Sequence, residues 1–125
     1  MNALDKKLQQ ALQQVFPGDS CLLDPAECLA YGYDNSRRQS MPHAVVLPTT
    51  QEQVQALVQL CREYKTPIVA RGRGTNTTGA SVPIEGGIVL SFERMNRILE
   101  IRAGDRVAIV EPGVLNGDLQ TALKS

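Results

Sequence analysis

Residues 44–70 read AVVLPTTQEQVQALVQLCREYKTPIVA. Ala44-Val45-Val46-Leu47 is a short apolar run closed by Pro48, as expected of a strand buried on both faces. Thr49 and Thr50, with Glu52 and Gln53 three residues on, form two overlapping capping boxes. Val54, Leu57, Val58, Cys61 and Tyr64 recur at helical spacing, with Gln51, Gln55, Gln59, Arg62 and Glu63 left for water. The pattern predicts a helix over 50–64. Thr66-Pro67 ends it, and Ile68-Val69-Ala70 begins a second strand. Strand, helix and strand in so short a span form a βαβ unit with a right-handed crossover.

The second strand runs straight into Arg71-Gly72-Arg73-Gly74-Thr75-Asn76-Thr77-Thr78-Gly79-Ala80-Ser81-Val82-Pro83, and a further apolar run, Gly87-Ile88-Val89-Leu90, follows. The segment offers a core almost nothing. Loops longer than roughly 12 residues without structure of their own are usually functional. Gly72, Gly74 and Gly79 let a ligand approach the backbone, and successive N–H groups in such turns form a concavity for an anion. Thr75, Thr77, Thr78 and Ser81 add hydroxyls, while Arg71 and Arg73 add positive charge. Ligands of open α/β sheets sit at the carboxyl ends of strands, where this loop begins. The segment therefore reads as a phosphate or pyrophosphate cradle, with a plain surface turn as the alternative. It is neither familiar phosphate motif. The nucleotide-triphosphate loop with its Gly-Lys-Ser/Thr is absent. Gly72-x-Gly74-x-x-Thr77 lacks the third glycine of the dinucleotide fingerprint, and Ser81-Val82-Pro83 stands where that fold needs a helix.

Upstream, Leu4, Leu8, Ala11, Leu12 and Val15 predict an amphipathic helix over 3–16, stopped by Pro17-Gly18. Asp24-Pro25-Ala26-Glu27 combines an N-cap, a proline at the first helical position and a capping-box glutamate, opening a short helix to Tyr31. Tyr33-Asp34-Asn35-Ser36-Arg37-Arg38-Gln39-Ser40 is polar and irregular, a solvated linker or a ligand-facing arm. Downstream, Ile98-Leu99-Glu100-Ile101 and Val107-Ala108-Ile109-Val110 flank Ala103-Gly104-Asp105, a hairpin signal. Glu111-Pro112-Gly113 is another tight turn, and Leu115, Leu119, Ala122 and Leu123 start a helix. A lone hairpin is marginal in water, so the pattern predicts the front part of something longer. The expected fold class is α+β with an α/β-like first subdomain. A three-stranded sheet containing the βαβ unit is flanked by helices, and a hairpin opens a second subdomain. Residues 1–41 form a helical arm and 42–125 a partial domain.

Thirteen Lys and Arg balance thirteen Asp and Glu in 125 residues, so charge recommends no nucleic acid and no anionic membrane as partner. No apolar stretch approaches the roughly 20 residues of a membrane span, and no apolar h-region of a secretory signal is visible. Cys21, Cys28 and Cys61 form no C-x-x-C pair, and the single histidine, His43, is remote from all three in sequence. They read as reduced thiols of a cytosolic protein, with no metal site. His43 reads as a strand-edge residue.

Pro42-x-Ala44-Val45-Val46-x-Pro48, Arg71-Gly72-x-Gly74-Thr75, Gly79-Ala80 with Pro83, and Gly87-x-Val89-Leu90-Ser91 occur in order, followed by Arg94-Met95-Asn96-x-Ile98-Leu99 and Val110-Glu111-Pro112-Gly113-Val114. This series resembles the first part of the FAD-binding domain of the vanillyl-alcohol oxidase / p-cresol methylhydroxylase superfamily. The likeness is strongest to the FAD-linked subunit of glycolate oxidase and to D-lactate dehydrogenases. The resemblance implies two α+β subdomains with FAD between them and a later cap domain that shapes the substrate site. It implies that Arg71, Gly72, Arg73, Gly74, Thr75, Asn76, Thr77, Gly79 and Ala80 serve the FAD phosphates. Pro48 would border the adenine side, and Pro112 and Gly113 would lie near the isoalloxazine ring. Tyr33 and Asp34 match a Tyr/Asp-bearing stretch common before the domain. Members with covalent flavin commonly carry a histidine in or near this loop; none falls between Arg71 and Ser81, so non-covalent FAD is implied.

The implied activity is a 2-hydroxyacid oxidase or dehydrogenase of glycolate or D-lactate type, passing hydride from the substrate α-carbon to the flavin. No catalytic base is expected among these residues, because the cap domain would supply it. Implied partners are a small 2-hydroxyacid and either other oxidase subunits or a second copy. The implied location is cytoplasmic, peripheral to the inner membrane through partner subunits. A truncated, non-catalytic flavin-binding or oligomerising module is the alternative. Related flavin domains of a cell-wall precursor reductase and of molybdenum hydroxylases are a third, disfavoured by the Arg71-Gly72-x-Gly74-Thr75 form and by Met95-Asn96.

Overall fold

The computed structural model describes residues 4–124. Residues 1–3 and 125, at the outer ends of the expected arm and domain, lie outside it. Helix α1 spans Lys6–Val15, its first turn capped by the Asp5 carboxylate, which accepts the Lys7 N–H at 2.7 Å. Strand β1 is Cys21–Leu22, and the one-turn helix α2, Pro25–Cys28, starts under an Asp24 cap and runs into a 3₁₀ turn over Leu29–Tyr31. Strand β2, Ala44–Val46, leads through helix α3, Gln51–Glu63, to strand β3, Ile68–Arg71. After the Gly-rich loop come β4, Ile88–Ser91, then β5, Ile98–Arg102, β6, Val107–Val110, and helix α4, Asn116–Leu123.

Four strands form one sheet in the order β1-β2-β4-β3, and β5 and β6 form a separate antiparallel hairpin. The expected β2-α3-β3 unit is present, but β4 lies between its strands, parallel to both, with Val45 and Val69 each opposite Val89. A fourth strand, β1, joins antiparallel to β2 through Cys21 opposite Val46 and Leu22 opposite Val45. Two residues between turns give too short a signal to read from sequence alone.

Alternation along the buried strands explains their uninterrupted apolar runs. Ala44, Val46, Ile88 and Leu90 pack with Leu8, Leu12 and Phe16 of the α1 segment and Leu57 and Cys61 of α3. Val45 and Val89 face the other way, toward Cys28, Leu22 and Tyr31. Both faces of β2 and β4 are therefore covered, as parallel strands require. Gln53 joins the two helices: its backbone N–H donates to the Thr50 hydroxyl at 3.2 Å, and its side-chain amide donates to the Val15 carbonyl at 2.9 Å. The hairpin is anchored where it leaves the sheet. The buried Glu111 carboxylate accepts the Arg97 Nε at 2.8 Å and the Arg97 backbone N–H at 2.9 Å. The Arg97 guanidinium, before its backbone N–H, holds the Glu111 carboxyl below its ordinary range.

Candidate functional site

Because β2, β4 and β3 run parallel and in register, their carboxyl ends share one edge. The Gly-rich loop leaves β3 at that edge after Arg71, while Pro48, fully buried, lies just beyond β2 at the same edge. Gly74 and Gly79 take φ of +69° and +81°, a region where side chains with a Cβ are disfavoured.

Arg71 and Arg73 act as stays for the loop. The Arg71 guanidinium sits 5.6 Å from the Tyr31 ring centroid and 5.7 Å from that of Tyr33, and its Nη1 donates to the Tyr33 carbonyl. Arg73 Nη2 donates to the Gly113 carbonyl at 3.0 Å. A Cβ at Gly72 would stand 3.8 Å from the Pro112 carbonyl oxygen. The fold thus brings together the loop 71–80 and the Pro112-Gly113 turn, with Pro48 farther along the edge.

Within the loop the backbone is left open. None of the N–H groups from Arg73 to Gly79 donates to a partner among the described residues, and neither do the hydroxyls of Thr75 and Thr77. The Asn76 side chain is committed instead: its Nδ2 donates to Asp34 Oδ2 at 2.8 Å and to Thr78 Oγ1 at 3.2 Å, and its Oδ1 accepts the Ser81 hydroxyl at 2.9 Å. A cleft of about 240 Å³ opens beside the loop, lined by Ala30, Tyr31, Arg71, Gly72, Arg73, Ser91 and Glu93. Glu93 Oε1 accepts both the Tyr31 phenol and, at 3.1 Å, the Ser91 hydroxyl. Burial, then the bond to Glu93, pushes the Tyr31 phenol up to about 12, so it remains a donor.

A profile described as an FAD binding domain matches residues 42–125. The chain belongs to the FAD binding domain family. It is 39% identical over 123 residues to glycolate oxidase subunit GlcD of Bacillus subtilis, covering 98% of this chain and 26% of that one. D-2-hydroxyglutarate dehydrogenase of Stutzerimonas stutzeri is 36% identical over 117 residues, covering 93% and 25% of the two chains. Among solved structures, p-cresol methylhydroxylase with substrate bound superposes with a TM-score of 0.82 at 30% identity, over 94% of this chain and 24% of that one. The chain spans about a quarter of the length of the curated relatives it matches. The resemblance drawn from six short motifs is therefore borne out in family and in fold, and FAD is the cofactor of this FAD binding domain.

Sequence reasoning left one segment open between a solvated linker and a ligand-facing arm. The strap 31–40, which precedes the matched span, is no free linker: Asp34 is buried, Asn35 Nδ2 donates to the Thr75 carbonyl at 3.0 Å, and the Asn35 N–H donates to the Asn76 carbonyl at 3.0 Å. The available signal was Asp34-Asn35-Ser36, a side chain–backbone turn sequence.

Proposed function

We propose that this FAD binding domain is the N-terminal portion of an FAD-linked oxidoreductase acting on small 2-hydroxyacids of glycolate or D-lactate type. We further propose that the loop 71–80 holds the FAD pyrophosphate. The observation that carries the second part is the run of unclaimed N–H donors from Arg73 to Gly79 beside two arginines. Such a row suits two phosphates, which need several donors and positive charge at once. The names of the relatives, glycolate oxidase subunit and D-2-hydroxyglutarate dehydrogenase, support the substrate class.

The chain's own residues have definable tasks in this reading. Backbone N–H groups of 73–79 and the Thr75 and Thr77 hydroxyls bind the phosphates. Arg71 and Arg73 offset their charge while bracing the loop on Tyr33 and Gly113. Pro48 borders the adenine side, and Pro112 and Gly113 direct the other end of the cofactor toward the ring-binding region. When bound, the flavin supplies a hydride acceptor. Binding is non-covalent in this reading, and His43 Nδ1 is engaged by the Gly87 N–H at 3.0 Å. The remaining oxidase subunits, where present, are partners of the intact cytoplasmic assembly; no helix among the described residues is long and apolar enough to cross a membrane.

The test is an FAD titration of the full chain, followed by flavin absorbance after desalting, for wild type and Gly74→Val. Saturable binding lost in Gly74→Val is expected; equal retention by both would overturn the cradle.

A second reading is favoured by the exposed apolar side chains Leu99, Ile101, Val107, Val110, Leu115 and Leu123 on the hairpin and around α4. In it, the chain is a flavin-binding module without activity of its own that self-associates through the hairpin, whose open edges invite strand pairing. Sedimentation across a concentration series tests it: dimers support self-association, and a monomer throughout removes it.

A further inference from the structure

We infer that Asp34 is a positioning residue for the phosphate-binding loop. This rests on the pyrophosphate reading above and extends it to a residue outside the matched span 42–125. Asp34 is 3% exposed, although Tyr33, Asn35, Arg37 and Arg38 around it are exposed. A carboxylate is costly to bury unless its oxygens find donors. Its Oδ1 accepts the Ser36 N–H at 2.8 Å, a local turn that a neutral asparagine would make as well.

The other oxygen sets the carboxylate apart. Oδ2 accepts Asn76 Nδ2 at 2.8 Å and the Ser81 N–H at 3.4 Å, so two donors from the loop converge on one atom. An asparagine here would either present its own NH₂ to those donors or turn it toward the Ser36 N–H. Only the carboxylate accepts on both sides. Asn35 adds its bonds to the Thr75 and Asn76 carbonyls, so the strap grips the loop at 75, 76 and 81. From Thr75 to Val82 the loop's other bonds are local: Asn76 Nδ2 and the Ala80 N–H donate to Thr78 Oγ1, the Ser81 hydroxyl to Asn76 Oδ1, and the Val82 N–H to the Gly79 carbonyl. The strap thus orders a segment whose own donors are kept open, and a loop ordered in advance loses less entropy on binding.

The test combines backbone NMR relaxation of the full chain with FAD titration, on wild type, Asp34→Asn and the reciprocal double variant Asp34→Asn/Asn76→Asp. In wild type, residues 73–79 are expected near the rigid-backbone order parameter of about 0.85, falling below about 0.6 in Asp34→Asn. FAD affinity should weaken about ten- to hundredfold, the range for losing hydrogen bonds to a charged group. The variant should stay folded with a melting temperature only a few degrees lower, because Asp34 belongs to neither apolar cluster, although donors to its carboxylate are left unpaired. The double variant restores a donor–acceptor pair and should return most of the order, while its new loop carboxylate keeps FAD binding weak. Should Asp34→Asn fail to fold, Asn76→Ala cuts the same link and must loosen the loop likewise. An unchanged loop in the folded variant overturns the inference, and wild-type FAD binding beside it leaves the pyrophosphate reading intact. A loop that loosens in a chain whose wild type takes up no FAD upholds the positioning role and overturns the pyrophosphate reading.

Discussion

Single atoms decide whether the loop and the turn facing it can exist. At Gly74 a Cβ would fall 2.2 Å from an Arg71 guanidinium nitrogen, on a backbone already at φ +69°. Valine there both strains the turn and displaces the arginine, which underlies the expected loss of FAD. Gly113 is needed for a different reason: a Cβ would lie 1.9 Å from the Phe92 carbonyl oxygen and 2.9 Å from that of Met95. Backbone cannot yield as a side chain tip does, so Gly113→Ala should destabilise by about 3 kcal/mol. Gly117→Ala, with nothing within 4 Å of the new methyl, should be neutral or slightly stabilising. Urea melts of the two variants check the contrast. The need for Gly74 was legible, because a Gly-x-Gly turn announces itself locally. The need for Gly113 was legible only as a turn residue, since the atoms it must avoid come from residues 92–95. Asp34 was noticed only as part of a family stretch, for the same reason: its turn with Ser36 is local, and its bonds with Asn76 and Ser81 are not.

Elements were read more faithfully than side chains, because periodicity and caps are local signals. The α3 helix, expected over 50–64, occupies Gln51–Glu63 with Thr50 as its N-cap. Thr50→Ala should therefore cost about 1 kcal/mol, and Leu57→Ala, fully buried against the sheet, about 2–5 kcal/mol. Chemical denaturation of each variant measures both. The capping box was legible, yet the second bond of Gln53, to Val15 at the end of α1, was not. Burial acts on the thiols of these elements too. It pushes Cys61 of α3 and Cys21 of β1 up to about 11, the latter aided by Cys28. Both should resist alkylation at about pH 8 in the folded protein and react once it is unfolded; mass spectrometry before and after urea reads the difference.

For the molecule as a whole, two carboxylates set the acid limit. The Ser36 hydroxyl first, then backbone and amide donors, holds Asp34 below its ordinary 3.8, and Arg97 holds Glu111 below 4.5. Groups with depressed folded values stabilise above the unfolded pKa and lose that contribution as pH falls through the folded one. The melting temperature should be level from about pH 8 to about pH 5 and decline below about pH 4; calorimetry across that range checks it. The strand order β1-β2-β4-β3 was beyond the sequence pattern, which pointed to a three-stranded sheet containing the βαβ unit without saying which strands adjoin. That order also bears on biosynthesis. The strands β2 and β3 pair only with β4 among the parallel three, so a growing chain emerging from the ribosome has no parallel ladder to close until Ile88–Ser91 follows the whole Gly-rich loop out. Of this sheet's four strands, the last made is the middle strand of the parallel three. Its arrival encloses the Gly-rich loop in the same step that completes the sheet, tying the slow, non-local stage of folding to the closing of that loop.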